Sequence, residues 1–206
     1  DQNVKVAIVD YGAGNLRSVV SALRSVGCDT VVAESPRDAQ TARAMVLPGV
    51  GAAADTMENL LRRGLADLVI HWIDAERPFL GICMGMQVLF TYSEEGGGQR
   101  CLDVISGRVV RLPAGLKVPH MGWNQVRYTR ESPLFESIPD GSNFYFVHSY
   151  AARPDDDAVV AASTDYGSPF CSAAQRGAVF ATQFHPEKSG ERGLQLYRNF
   201  ARFAAA

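Results

Sequence analysis

Cys83 stands between Gly81 and Gly85 in the stretch FLGICMGMQVLF (79–90), after an apolar run and ahead of a helix-like segment. G-x-C-x-G has the form of a nucleophile elbow. Such a strand-to-helix turn is so sharp that its central residue takes strained dihedrals, and the residues two positions either side must be small. A thiol held there stands at the head of a helix, where unpaired N–H groups and the helix dipole favour a thiolate. The same two glycines also suit close packing of helix on sheet, and the pentapeptide alone leaves both readings open.

A nucleophile needs a base, and His185 in QFHPEKS is the best placed of the four histidines. Glu187 lies two residues on, so in an extended segment the carboxylate projects to the same side and can hold one imidazole nitrogen while the other faces a thiol. Pro186 between them limits helix formation. His120 and His148 have no acidic neighbour at i±2, and His71 reads as a partly buried residue of a helix. An oxyanion needs donors, and LPGVGAAAD (47–55) offers them. Gly49 and Gly51 flank Val50 where a strand ends, which lets backbone N–H groups turn toward a ligand. Met84, directly after the thiol, supplies the natural second N–H. Each segment alone reads equally well as an ordinary turn; their co-occurrence is the signal.

The elements that must position these groups alternate. VKVAIVDYG, CDTVVAES, ARAMVLPGVGA and RPFLGIC read as strands, and the intervening segments carry apolar residues at helical spacing, as in Leu16, Val19, Val20 and Leu23. MGMQVLFTYSEE (84–95) reads as a helix after the fourth strand. The second half is strand-like and closely spaced, from KVPHMGWNQVRYTR to AVFATQFHPE. A last helix carries Leu196, Phe200 and Phe203 on one stripe. The expected fold is α/β: a flavodoxin-like, central, mostly parallel sheet flanked by helices, with an antiparallel or mixed extension from the C-terminal half. GAGNLRS after the first strand invites a dinucleotide-binding reading, but Arg17 replaces its third glycine.

The 206 residues suit one compact domain, 1–206, and the net charge of −2 has no basic or acidic block, which gives no nucleic-acid or membrane-surface partner. No apolar run reaches the length of a membrane span and no signal-peptide pattern opens the chain. Cys28, Cys83, Cys101 and Cys171 are widely spaced without a C-x-x-C pair. That argues against a zinc site or disulfide scaffold and for reduced thiols in a cytoplasmic protein, with no cofactor and no metal.

Taken together, P-G-V-G, G-I-C-M-G-M-Q and F-H-P-E-K-S, in that order, resemble the class I (triad) glutamine amidotransferases over essentially the whole chain. DYGAGNLRSV, VPHMGWN, FYFVHSY and the Met at position 86, where other branches place His, are similar to the branch that forms the glutaminase subunits of imidazole glycerol phosphate synthases, in histidine biosynthesis. The resemblance implies a Cys83–His185–Glu187 triad acting through a glutamyl thioester, with Val50 and Met84 as oxyanion donors. It implies that Gly51, Gln87, Ser149 and Tyr150 hold glutamine. It also implies a heterodimer with a (β/α)8-barrel cyclase that consumes the ammonia, with Asn15, Trp123, Tyr145 and Lys188 facing the barrel. Trp123 and Tyr145 fit a core equally well. In this family the P-G-V-G strand is thought to reorient before its N–H faces the oxyanion, so glutaminase activity would depend on the partner. The chain is used up by one such domain, which leaves no residues for an acceptor site. The competing readings are a triad glutaminase serving pyridoxal phosphate or aminodeoxychorismate synthesis, and a non-catalytic flavodoxin-like binding module.

Overall fold

The computed structural model describes residues 3–12, 14 and 16–206. In chain order its elements are β1 (Lys5–Val9), α1 (Arg17–Ser25), β2 (Asp29–Ala33), β3 (Ala44–Leu47), α2 (Ala53–Arg62), α3 (Leu65–Asp74), β4 (Phe79–Ile82), α4 (Met84–Gln87) and β5 (Phe90–Ser93). There follow β6 (Gln99–Arg100), β7 (Ile105–Arg111), β8 (His120–Tyr128), β9 (Ser142–His148), β10 (Tyr150–Pro154), β11 (Val160–Asp165), β12 (Pro169–Arg176), β13 (Val179–Thr182) and α5 (Gly190–Ala205).

The main sheet has the order β2-β1-β3-β4-β13-β12-β11-β8-β9. The five strands from β2 to β13 run parallel, and β12, β11, β8 and β9 extend the sheet antiparallel. The inner parallel strands β1, β3, β4 and β13 are buried on both faces, as their unbroken apolar runs require, while β2 at the edge is largely exposed. In β1, Val6 and Ile8 face the side covered by α1 and α5 with Leu23, Leu196 and Phe200. Ala7 and Val9 face the side covered by α2 and α3 with Leu60, Val69 and Trp72. Phe203, expected on the α5 stripe, is only partly buried there.

Two expectations fail. The helix expected over 84–95 is the single turn α4, followed by strand β5. Residues 84–90 are all buried, so there is no polar face to lay against solvent. The β-branched and aromatic residues beyond them pair instead with β7 and β6 in a second sheet of order β10-β7-β5-β6. That sheet, with Phe90, Ile105 and Val109, closes the same core as α2 and α3. His71 is exposed on α3 rather than partly buried, while Val69, Trp72 and Ile73 supply the inward face.

Candidate functional site

Three strand ends meet here. In the parallel register Leu47 pairs with Gly81 and Ile82 pairs with Thr182, so the residues that follow β3, β4 and β13 emerge side by side. Those residues are Pro48 to Gly51, Cys83, and Gln183 to Glu187. The carboxyl edge of a parallel sheet is where open α/β folds place ligands.

Cys83 has φ 56° and ψ −110°, a left-handed conformation for a residue with a side chain. Its glycines are obligatory. A Cβ on Gly85 would lie 1.8 Å from the Leu47 carbonyl oxygen, and one on Gly81 would lie 2.4 Å from the Gly85 oxygen. The turn is therefore an elbow, and its strain is held by backbone contacts on both sides. The thiol is 5% exposed, and Gln183 Nε2 donates to its Sγ at 3.6 Å.

His185 is buried, with Nδ1 2.7 Å from Glu187 Oε1. Tyr197, on α5 and wholly buried, donates its hydroxyl to Glu187 Oε2 at 3.2 Å. The His185 backbone N–H donates to the Tyr145 carbonyl at 2.9 Å, and Ser189 Oγ donates to the His185 carbonyl at 2.6 Å. The ring is thus held at Nδ1, at its backbone and through its carboxylate, while Nε2 is buried without a hydrogen-bond partner among the described residues. Burial works against charge on this ring, but Cys83 and Glu187 outweigh it and lift its pKa to about 10. In its charged form the ring can deliver a proton from Nε2.

Val50, Gly51, Cys83, Met84, Gln87, Ser149 and Tyr150 all line one cleft of about 310 Å³, with Glu95 and His148. Gln87 Nε2 donates to the Tyr150 carbonyl at 3.0 Å and to Gln183 Oε1 at 2.9 Å, and its own Oε1 is buried and unpartnered among the described residues. Glu95 reaches the N-terminus of α2, where the Ala53 N–H donates to it at 3.3 Å; burial raises its pKa, with the Ala53 bond opposing. A second cleft, of about 190 Å³, lies on the other side of Val50 and is lined by Tyr11, Gly49, His185, Glu187 and Lys188 among others. The Pro48–Val50 segment is thus a wall between the two. In this structure the Met84 N–H donates to the Gly49 carbonyl at 3.1 Å, so one of the two expected oxyanion donors is already engaged. Val50 is 48% exposed.

Trp123 is 58% exposed, so it is no core aromatic. Its ring meets Tyr145 edge to face at 6.2 Å, and Lys188 Nζ lies 5.9 Å from the Tyr145 ring. Trp123, Tyr145 and Lys188 thus form one surface group, while Asn15 lies outside the described residues. His120 and His148, set aside as bases, bond each other: His120 Nδ1 lies 2.9 Å from His148 Nε2, and His148 Nδ1 lies 2.8 Å from the Tyr150 carbonyl. That carbonyl can only accept, so His148 carries a proton on Nδ1; in its neutral form its Nε2 accepts from His120 Nδ1. Burial above all pushes the His148 pKa down to about 4, assisted by His120 and His185.

Gln183, Tyr197 and Glu95 escaped the sequence reading. Gln183 carried a signal, being two residues before His185 at the same alternation that singled out Glu187. Tyr197 and Glu95 come from elements distant in sequence and carried none.

The glutamine amidotransferase class-I model matches residues 7–203. Among curated relatives, the "Imidazole glycerol phosphate synthase subunit HisH" of Dehalococcoides mccartyi (strain CBDB1) is 50% identical over 199 residues, covering 97% of each chain. The subunit of the same name from Chloroflexus aurantiacus (strain ATCC 29364 / DSM 637 / Y-400-fl) is 52% identical over 206 residues, covering 98% of this chain and 97% of that one. Among solved structures, a chain of PurLQS from Thermotoga maritima superposes with a TM-score of 0.79 at 16% identity, covering 98% of this chain and 99% of the other, a likeness of fold. A match spanning nearly every element, joined to half-identity along the full length of such relatives, means that the chain belongs to the glutamine amidotransferase class-I family.

Proposed function

We propose that this chain is a single glutaminase domain that hydrolyses glutamine to glutamate and ammonia for imidazole glycerol phosphate synthesis, in histidine biosynthesis. It hands the ammonia to a (β/α)8-barrel cyclase partner. The observation that carries the reading is the convergence of Cys83, the His185–Glu187 pair and the glutamine-sized cleft at three neighbouring strand ends, in a chain half identical to HisH subunits.

In the reaction, glutamine lies in the Cys83 cleft with its backbone end among Gly51, Gln87, Ser149 and Tyr150; the Glu95 carboxylate and Gln87 Oε1 supply acceptors for its ammonium. Cys83 Sγ attacks the carboxamide carbon, a C–S bond forms, and the carbonyl pair moves onto oxygen. Met84 and Val50 N–H groups hold that oxyanion once the Gly49–Val50 peptide has turned and released Met84. His185 Nε2–H protonates the departing nitrogen, the C–N bond breaks, and ammonia leaves. Water, deprotonated by the now neutral His185, cleaves the thioester and restores the thiolate. Glu187, itself fixed by Tyr197, keeps the ring in register throughout.

Ammonia is mostly protonated in neutral water and then no nucleophile, so a covered exit is chemically required. The cleft beyond Val50, reaching Lys188 beside Tyr145, supports an exit on the Trp123 face, where the barrel would dock. Four free cysteines fit a reducing, cytoplasmic setting. The test is glutamate release from glutamine with and without the barrel cyclase and its nucleotide substrate. Release that rises with the partner and vanishes in Cys83→Ala supports the reading; a complex that releases no glutamate overturns it.

A further inference from the structure

Gln183, directly after β13, is fully buried, and its carboxamide orientation follows from its neighbours. The Tyr150 carbonyl can only accept, so the Gln87 atom 3.0 Å from it is the amide nitrogen. The same nitrogen lies 2.9 Å from the Gln183 carboxamide, which must present its oxygen there. The Gln183 nitrogen is then the atom 3.6 Å from Cys83 Sγ. Flipping both amides would set the Gln87 oxygen against the Tyr150 oxygen, so the polarity has one direction. It runs from an unpartnered acceptor in the cleft, Gln87 Oε1, through two carboxamides to the sulfur.

We propose that Gln183 is a catalytic residue of this site, donating an N–H to Cys83 Sγ that favours the thiolate, while Gln87 holds it in that orientation. The role rests on the glutaminase reading; the contact itself does not. A neutral donor suits this position. It stabilises the negative sulfur without competing with His185 for the proton, and both carboxamide partners are fixed before substrate arrives. A substrate donor that bonds Gln87 Oε1 polarises the same chain and strengthens the N–H at the sulfur, which couples occupancy of the cleft to the nucleophile.

The test is the pH dependence of Cys83 alkylation by iodoacetamide in the full chain, followed by mass spectrometry with Cys28, Cys101 and Cys171 as internal references. Gln183→Met keeps the length of the side chain and removes the donor. The expected result is alkylation of Cys83 slowed about tenfold at neutral pH, as for loss of one hydrogen bond to a charged acceptor, with the pH–rate profile displaced upward. A profile superimposable on that of the parent chain, in a variant with unchanged near-UV circular dichroism, overturns the proposal. Should Gln183→Met fail to fold, Gln183→Leu removes the donor without adding an ionisable group; alkylation must again slow, and an unchanged profile again overturns the proposal. Alkylation requires no glutamine turnover. A parent complex that releases no glutamate therefore counts against the glutaminase reading alone, and an unchanged alkylation profile counts against Gln183 alone.

Discussion

In the proposed mechanism the base side of the site and its oxyanion side are built to different degrees of readiness. On the base side, His185, Glu187 and Tyr197 are buried and bonded in sequence at 2.7 and 3.2 Å. On the oxyanion side, Met84 N–H is spent on the Gly49 carbonyl at 3.1 Å and Val50 is half exposed. Acid–base machinery is thus fixed by the core, and stabilisation of the tetrahedral intermediate waits on a segment at the rim. The magnitudes make such a segment a sensible control point. An oxyanion donor lowers the barrier by roughly 3 kcal/mol, about 100-fold in rate, and in the proposed mechanism that stabilisation is withheld while the Met84 N–H stays on the Gly49 carbonyl.

The comparison can be broken from either side. Cys83→Ala and His185→Ala remove the proposed reacting groups, and each should lower kcat by several orders of magnitude, on the order of 10⁶ by analogy with other triads; glutamate release by the complex measures it. Val50→Pro deletes one oxyanion donor and nothing of the base side. Glutaminase kcat should fall about 10²- to 10³-fold while Cys83 alkylation is retained, and a parallel loss of alkylation would show that the two sides are not separable. Tyr197→Phe loosens Glu187 without touching Cys83, and a loss of about tenfold in kcat at nearly constant KM is expected.

The smallest effect is on stability and pH. The folded pKa of His148, about 4, lies below the unfolded value of about 6.5, so the unfolded chain binds the extra proton between them and stability falls as pH drops through that window. His185 has the opposite sign. Its folded pKa of about 10 makes its contribution complete below pH ~6.5 and lost as pH rises toward 10. His148→Asn keeps a donor for the Tyr150 carbonyl and should flatten the acid limb by a few degrees of Tm, leaving the alkaline limb in place; thermal melts from pH 4 to 10 check it.

What could be read from sequence follows the range of the interactions. The elbow at Cys83 is local: two glycines at ±2 state that backbone must pass close by, and Leu47 and Gly85 are where it does. His185 and Glu187 are two residues apart and do pair, but through a 3-10 turn at Pro186–Lys188 and not through the extended segment that the spacing suggested. The parallel sheet was legible because strands buried on both faces leave unbroken apolar runs. The β5–β7 sheet was not, because VLF after Gln87 has no periodicity until its partners in β7 are known. Gln183 and Tyr197 make contacts 100 and 10 residues away in sequence, and only the fold brings them to Cys83 and Glu187. The Gly49–Met84 bond was hidden for the same reason: two turns, each readable, close on one another only in three dimensions.

One paired measurement tests the central claim, that the base side is ready and the oxyanion side is closed. Iodoacetamide alkylation of Cys83, which needs no oxyanion hole, and glutamine hydrolysis, which does, are measured on the same sample with and without the barrel cyclase and its nucleotide substrate. The account predicts that the partner raises glutamate release by about 100-fold or more while alkylation changes by no more than about threefold. Alkylation rising in step with hydrolysis would place the control at the nucleophile and contradict the account.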